Sequence, residues 1–230
     1  MSPAVPSNRE LLLPTLLPYL AYTGVATLMQ GVPGELDYAL RLLACGAALA
    51  WAWPRLGPLS GPRSRSGSLI AGAAAGLLGS ALWIGLILPF AAPPGPAWQP
   101  LPFALRLLAA STVVPLIEER LMRGYLLGLV VQWQRARRER RDRPLRHALD
   151  QHSVRELEPG AWSGLAVAVS SLLFAAGHQP DEWLAALAYG LLMAALWIAR
   201  RDLLSCVVAH AVTNATLAGI VLAGGRWELW

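Results

Sequence analysis

The chain contains no lysine and only two cysteines. It is also poor in charge: 14% of its residues are Asp, Glu, Lys or Arg, where a soluble domain carries about a quarter. That scarcity excludes an ordinary soluble domain with a large core. Cys45 and Cys206 lie in apolar runs, so they make neither a disulfide framework nor a C-x-x-C metal pair. They read as packing residues. Short alternating strands are not visible, which removes a β-barrel. H-E-x-x-H, the usual zinc-protease spacing, is missing, and there is no internal repeat.

What is present is apolar length. Hydrophobic residues make up 55% of the 230, and several runs reach the roughly 20 residues a helix needs to cross a bilayer. The expected fold class is all-α: a polytopic transmembrane helical bundle of about seven spans, forming one integral membrane domain over 1–230. The spans fall roughly at Leu11–Gln30, Asp37–Trp53, Ser68–Phe90, Leu101–Trp133, Ala161–His178, Glu182–Ala199 and Leu203–Ala223. The fourth is too long for one straight crossing, and Pro115 is the expected bend. Ala91–Pro96 reads as a neutral break. The first run lacks a basic n-region beyond Arg9 and a small-residue cleavage site, so it does not read as a removable signal peptide. Gly72, Gly76 and Gly79 in span three would allow a neighbouring helix close.

The net charge of +5 comes from arginine in loops. It collects in 54–67, in 134–158 and after span six, while the alternate loops are neutral or acidic. The positive-inside rule then puts the N-terminus in the cytoplasm and makes 134–158 a cytoplasmic basic loop. Contact with anionic lipid headgroups is compatible with that loop. These arginines form no stripe on a folded module, which speaks against nucleic acid. Most tryptophans fall near span ends, as interfacial belts require; Trp83 does not and reads as a helix contact.

Three polar constellations interrupt the apolar spans, and ionisable groups at that depth cost about 2.5–3.5 kcal/mol each on insertion scales. In Glu118-Glu119-x-x-x-Arg123 the i,i+4 spacing lets Glu119 pair with Arg123. Glu118 is turned about 100° away, so one carboxylate is structural and the other available. Phe174 and His178 form the second constellation. His210 and Asn214, again four apart on one face, form the third. A carboxylate and an imidazole can share a water and take its proton. A second imidazole and an amide can donate to an oxyanion. This set suits peptide hydrolysis by direct attack of water. The same Glu118, His178 and His210 would also make a His₂Glu site for a divalent metal such as zinc; glutamate–water catalysis without a cofactor is the favoured reading. A proton- or ion-coupled carrier would use the same buried groups as a relay, and a non-catalytic immunity or scaffold protein is the third reading. His178 lies near the outer end of span five and Glu118 near mid-depth of span four. They meet only if a helix tilts or the outer half of the site is a cavity.

At these residues the chain resembles the CPBP family, the CAAX-protease and bacteriocin-processing (Abi) family of intramembrane proteases. The family's E-E-x-x-x-R, F-x-x-x-H and H-x-x-x-N motifs stand here in order, as Glu118-Glu119 with Arg123, Phe174 with His178, and His210 with Asn214. The match covers about 101–223. The resemblance implies a helical bundle that cleaves a membrane-anchored protein or peptide near its end. By carry-over, Glu118 activates water with help from His178, Glu119 and Arg123 hold the geometry, His210 and Asn214 form the oxyanion side, and Phe174 meets substrate. Many members have Phe just before the motif arginine; Met122 stands there here. The implied partners are membrane lipids and that anchored substrate. The lysine-free, Arg/Ala/Leu-rich composition points to a bacterial inner membrane, where prenylated CAAX substrates are not expected.

Overall fold

The computed structural model describes residues 5–90 and 95–230; the break expected at Ala91–Pro96 lies outside the described residues over 91–94. All regular structure among the described residues is helical. The helices are α1 (Asn8–Leu28), α2 (Gly34–Ala52), α3 (Arg65–Ile87), α4 (Pro100–Ser111), α5 (Val113–Glu119), α6 (Leu127–Arg138), α7 (Pro144–Gln151), α8 (Gly164–Ala176), α9 (Trp183–Arg200) and α10 (Leu203–Gly224). A π-helical segment, Arg120–Leu126, joins α5 to α6.

Local chemistry starts these helices where polar residues interrupt apolar runs. Ser7 caps α1 in a capping box with Glu10. Ser64 caps α3, Ser163 caps α8 and Asp202 caps α10, each accepting from a backbone N–H of the first turn. Each cap satisfies a donor that the helix cannot satisfy itself.

All seven expected spans are helical, and five segments have both the length and the apolarity to cross a membrane: Asn8–Leu28, Arg65–Phe90, Pro100–Arg138, Pro180–Arg200 and Leu203–Gly224. Helix α2 carries Glu35, Asp37 and Arg41. There Arg41 pairs with Asp37 one turn back and stacks on Tyr38. Helix α8 has only 13 residues, or about 20 Å of rise, short of the roughly 30 Å hydrocarbon layer. Large apolar side chains such as Leu43, Ile70, Leu77, Leu78, Leu172 and Leu222 point outward around the bundle. In water such a belt would be an aggregation surface; in lipid it is the solvated face.

The long fourth segment bends three residues before the proline. Pro115 has no N–H to give Ser111 and crowds the preceding turn. The chain yields at Thr112, where φ is −129° and ψ −78°. From Arg120 the backbone widens into the π segment. There Leu127 N–H reaches back to the Met122 carbonyl, which also accepts from Ser170 Oγ of α8 at 3.0 Å.

Helix α3 packs along α10 and α9, α1 along α2, and α8 along α9. The α3–α10 approach depends on missing side chains. A Cβ on Gly76 would stand 2.6 Å from the Ala209 carbonyl oxygen, and one on Gly79 2.5 Å from the Tyr189 ring. In the room so made, Thr213 Oγ1 donates to the Gly76 carbonyl at 2.9 Å and lies 3.1 Å from Tyr189 Oη. These contacts fix the height of α10, which carries His210 and Asn214.

The basic stretch 134–158 contains α7 and is tied to the N-terminus. Asn8 is fully buried. Its amide donates to Gln132 and to the Ala148 carbonyl, and its oxygen accepts from Val154 N–H.

Candidate active site

A cavity of about 180 Å³ opens among α3, α4, α5, α8, α9 and α10, and its walls include Glu118, His178, His210, Asn214 and Phe174. The lining reaches Glu182 and Trp230 at the bundle end opposite the Arg-rich loops. This resolves the difference in depth between Glu118 and His178: the end of the site away from the Arg-rich loops is hollow, and both residues border it.

The two adjacent glutamates divide as their angular spacing predicts. Glu119 is fully buried, with side-chain exposure of 0%, while Glu118 keeps 18% and faces the cavity. Arg123 Nη1 stands 3.4 Å from Glu119 Oε1 and 3.3 Å from Oε2, a loosely shared pair rather than a tight fork. The other end of that guanidinium donates to the Gly190 carbonyl at 2.9 Å, and its face lies over the Phe174 ring.

His210 stands between the two acids. Its Nδ1 is 2.9 Å from Glu119 Oε1, and its Nε2 is 4.0 Å from Glu118 Oε2. A carboxylate only accepts, so Nδ1 donates; in a neutral ring Nε2 is then the acceptor. His178 has the same tautomer for a different reason: its Nδ1 lies 2.9 Å from the Phe174 carbonyl oxygen and donates to it. Asn214 is tethered through Nδ2 to the Ala110 carbonyl at 2.7 Å, beside the break at Thr112.

Phe174, expected to meet substrate, is 2% exposed. Its ring packs on His178 with centroids 4.7 Å apart and edge-on to His210 at 5.9 Å. Trp83, read from the sequence as a helix contact, is buried in the core and also borders the cavity, 5.4 Å from the His178 ring.

Arg106 and Tyr189 are among the lining residues that sequence reasoning missed. Arg106 borders the cavity and lies over both Trp98 and Trp230; its position inside an apolar run was the available signal. Tyr189 packs on His210 at 5.6 Å, and nothing in its local sequence marks it. Among the described residues, no three His, Cys, Asp or Glu side chains are grouped closely enough to hold one ion. Cys45 and Cys206 are both buried free thiols, as packing residues would be.

A helical bundle with an apolar outer face thus encloses acids, imidazoles and an amide around one cavity. The family model described as "type II CAAX prenyl endopeptidase Rce1-like" matches residues 100–216, and the chain belongs to that family. It is thus an integral membrane protein of an intramembrane endopeptidase family, with its matched region covering α4 to most of α10. No curated protein and no solved structure matches the chain.

Proposed function

We propose that this chain hydrolyses a peptide bond of a membrane-associated protein or peptide, using one water held between Glu118 and His210. The observation that carries this reading is the 4.0 Å separation of Glu118 Oε2 from His210 Nε2. That separation is too long for a direct bond. It suits one water making two contacts of about 2.8 Å at roughly a right angle.

Glu118 takes the water proton as the oxygen attacks the carbonyl carbon, and His210 Nε2 orients the water through its lone pair. Glu119 and Arg123 act through His210, fixing its tautomer and ring plane. The tetrahedral oxyanion meets the free N–H of Asn214. His210 can join as a donor only after taking up a proton, which refines the role expected from its spacing with Asn214. Glu118 then passes its proton to the leaving nitrogen, the C–N bond breaks, and a carboxylic acid and an amine result; the acid gives its remaining proton to the amine, leaving a carboxylate and an ammonium. His178 faces the same cavity with Nε2 unprotonated and supports Glu118. Phe174 holds both imidazoles in place.

We favour this over metal-assisted hydrolysis. Glu118, His178 and His210 are not grouped closely enough to share one ion. The family's name refers to CAAX prenyl substrates; for this chain we propose a membrane-anchored segment cut near its end. We place the chain in a bacterial inner membrane with the Arg-rich end in the cytoplasm. The test compares new peptide termini in membranes making the wild type or Glu118→Gln. The variant should melt like the wild type yet yield none of the wild type's termini. Unchanged termini would sink the proposal.

A further inference from the structure

A second and larger cavity, about 270 Å³, lies at the opposite, Arg-rich end of the bundle. It is bounded by the loop after α2, the loop before α8 and the α9–α10 turn. Its polar lining is lopsided: Arg55, Arg120, Arg123, Arg155 and Arg201 face two acids, Glu158 and Asp202. Asp202 is already occupied, accepting from Ser68 Oγ and Ser205 N–H at 2.7 Å each. Arg55, Arg155 and Arg201 are exposed and stand at the rim, and Arg201 holds its backbone in the left-handed region at φ 61°.

Arg120 is the residue that needs an explanation. It is 6% exposed, yet among the described residues no carboxylate lies within salt-bridge distance of it. One of its terminal nitrogens donates to the Gly57 carbonyl at 2.9 Å, and the guanidinium lies over the Trp53 ring. Its Nε makes no hydrogen bond among the described residues, and neither does that of Arg123. A buried cation without an anion is among the costliest arrangements a protein tolerates. Arg123 has Glu119; Arg120 has nothing comparable.

We infer that this cavity is a binding site for a phosphate oxyanion, with Arg120 as its floor. A guanidinium floor and three more guanidinium forks at the rim match the several oxygens of a phosphate group. The walls between floor and rim are apolar, with Leu56, Leu127, Leu157 and Leu203 among them. They suit the first carbons of an amphiphile attached to that phosphate. The volume is below the usual range for drug-sized ligands, so it takes a headgroup and not a whole lipid. Arg123 borders this cavity and pairs with Glu119, which in turn contacts His210 in the wall of the first cavity. The inference does not depend on the peptidase reading.

The test measures binding to the purified full chain in a neutral detergent. The probes are dihexanoyl phosphatidic acid, dihexanoyl phosphatidylcholine and inorganic phosphate. Saturable binding of the phosphatidic acid is expected, at least ten-fold tighter than the phosphatidylcholine. Arg120→Gln should weaken it at least ten-fold. Should that variant fail to fold, the rim variants Arg155→Gln and Arg201→Asn, both at exposed positions, should each weaken it measurably. Inorganic phosphate binding as tightly as the lipid, with the same loss in the variants, would support the site and assign it to a soluble anion. Equal binding of the two lipids with no effect of phosphate would overturn the inference. So would unchanged phosphatidic acid binding in the arginine variants.

Discussion

His210 and Glu119, 91 residues apart in the chain, meet through a 2.9 Å contact between Nδ1 and Oε1. This contact decides which ring nitrogen faces the cavity. It also means that Glu119 acts on the proposed water only through the imidazole. Glu119→Gln and His210→Ala should each lower cleavage by about 10²–10⁴-fold, the usual range for a lost acid–base group. The double variant should be little worse than either single one, because residues acting as a unit are not additive. Multiplied losses, measured on protein shown to be folded, would break the link.

The donor set leads to a second expectation. Cleavage should survive a strong divalent-metal chelator, and the purified protein should carry well under one zinc ion per chain by elemental analysis. Stoichiometric metal, with activity lost on its removal and regained on its return, would transfer the chemistry to a His₂Glu centre.

The α3–α10 contact gives a stability prediction with an internal control. Gly76→Val puts carbon against the Ala209 backbone, where no side chain can swing aside. It should destabilise the bundle by about 1–3 kcal/mol or more, read as a lower melting temperature, and activity should fall with it as α10 is displaced. Gly85, on the same helix, has open space where its Cβ would be, so Gly85→Ala should leave both readouts unchanged.

On the Arg-rich side, the hydrogen bond from Arg9, together with Arg146, holds the Asp150 carboxyl below its ordinary value of 3.8. A carboxyl lowered on folding adds stability above its unfolded value and loses it as pH falls through the folded one. Melting temperatures of the wild type and Asp150→Asn should therefore differ at neutral pH and converge below about pH 4. A gap that widens with acid would contradict this sign.

Much of this architecture is legible in the residues, and the exceptions have physical reasons. The Glu119–Arg123 pair and the separate direction of Glu118 follow from helical spacing alone. The helix starts at Ser7, Ser64, Ser163 and Asp202 emerge only with the cap hydrogen bonds. Thr112, not Pro115, takes up the bend because proline strains the turn before it. The π segment is invisible in one dimension because the Met122 carbonyl that closes its wide turn is also held by Ser170, on another helix. The His210–Glu119 contact is hidden for the same reason, and a single histidine carries no sign of which acid will hold it. The stretch 134–158 reads as a basic loop because its tertiary partner, Asn8, lies at the far end of the chain.

That clasp bears on biosynthesis. The partners of Asn8 lie 124, 140 and 146 residues downstream. At translation rates of about 5–20 residues per second, they emerge roughly 6–30 s after it. Until then the leading helix can be inserted but cannot seat its first turn. Nascent chains stalled ahead of Gln132 should leave the N-terminal segment open to proteases, while those stalled well past Val154 should protect it.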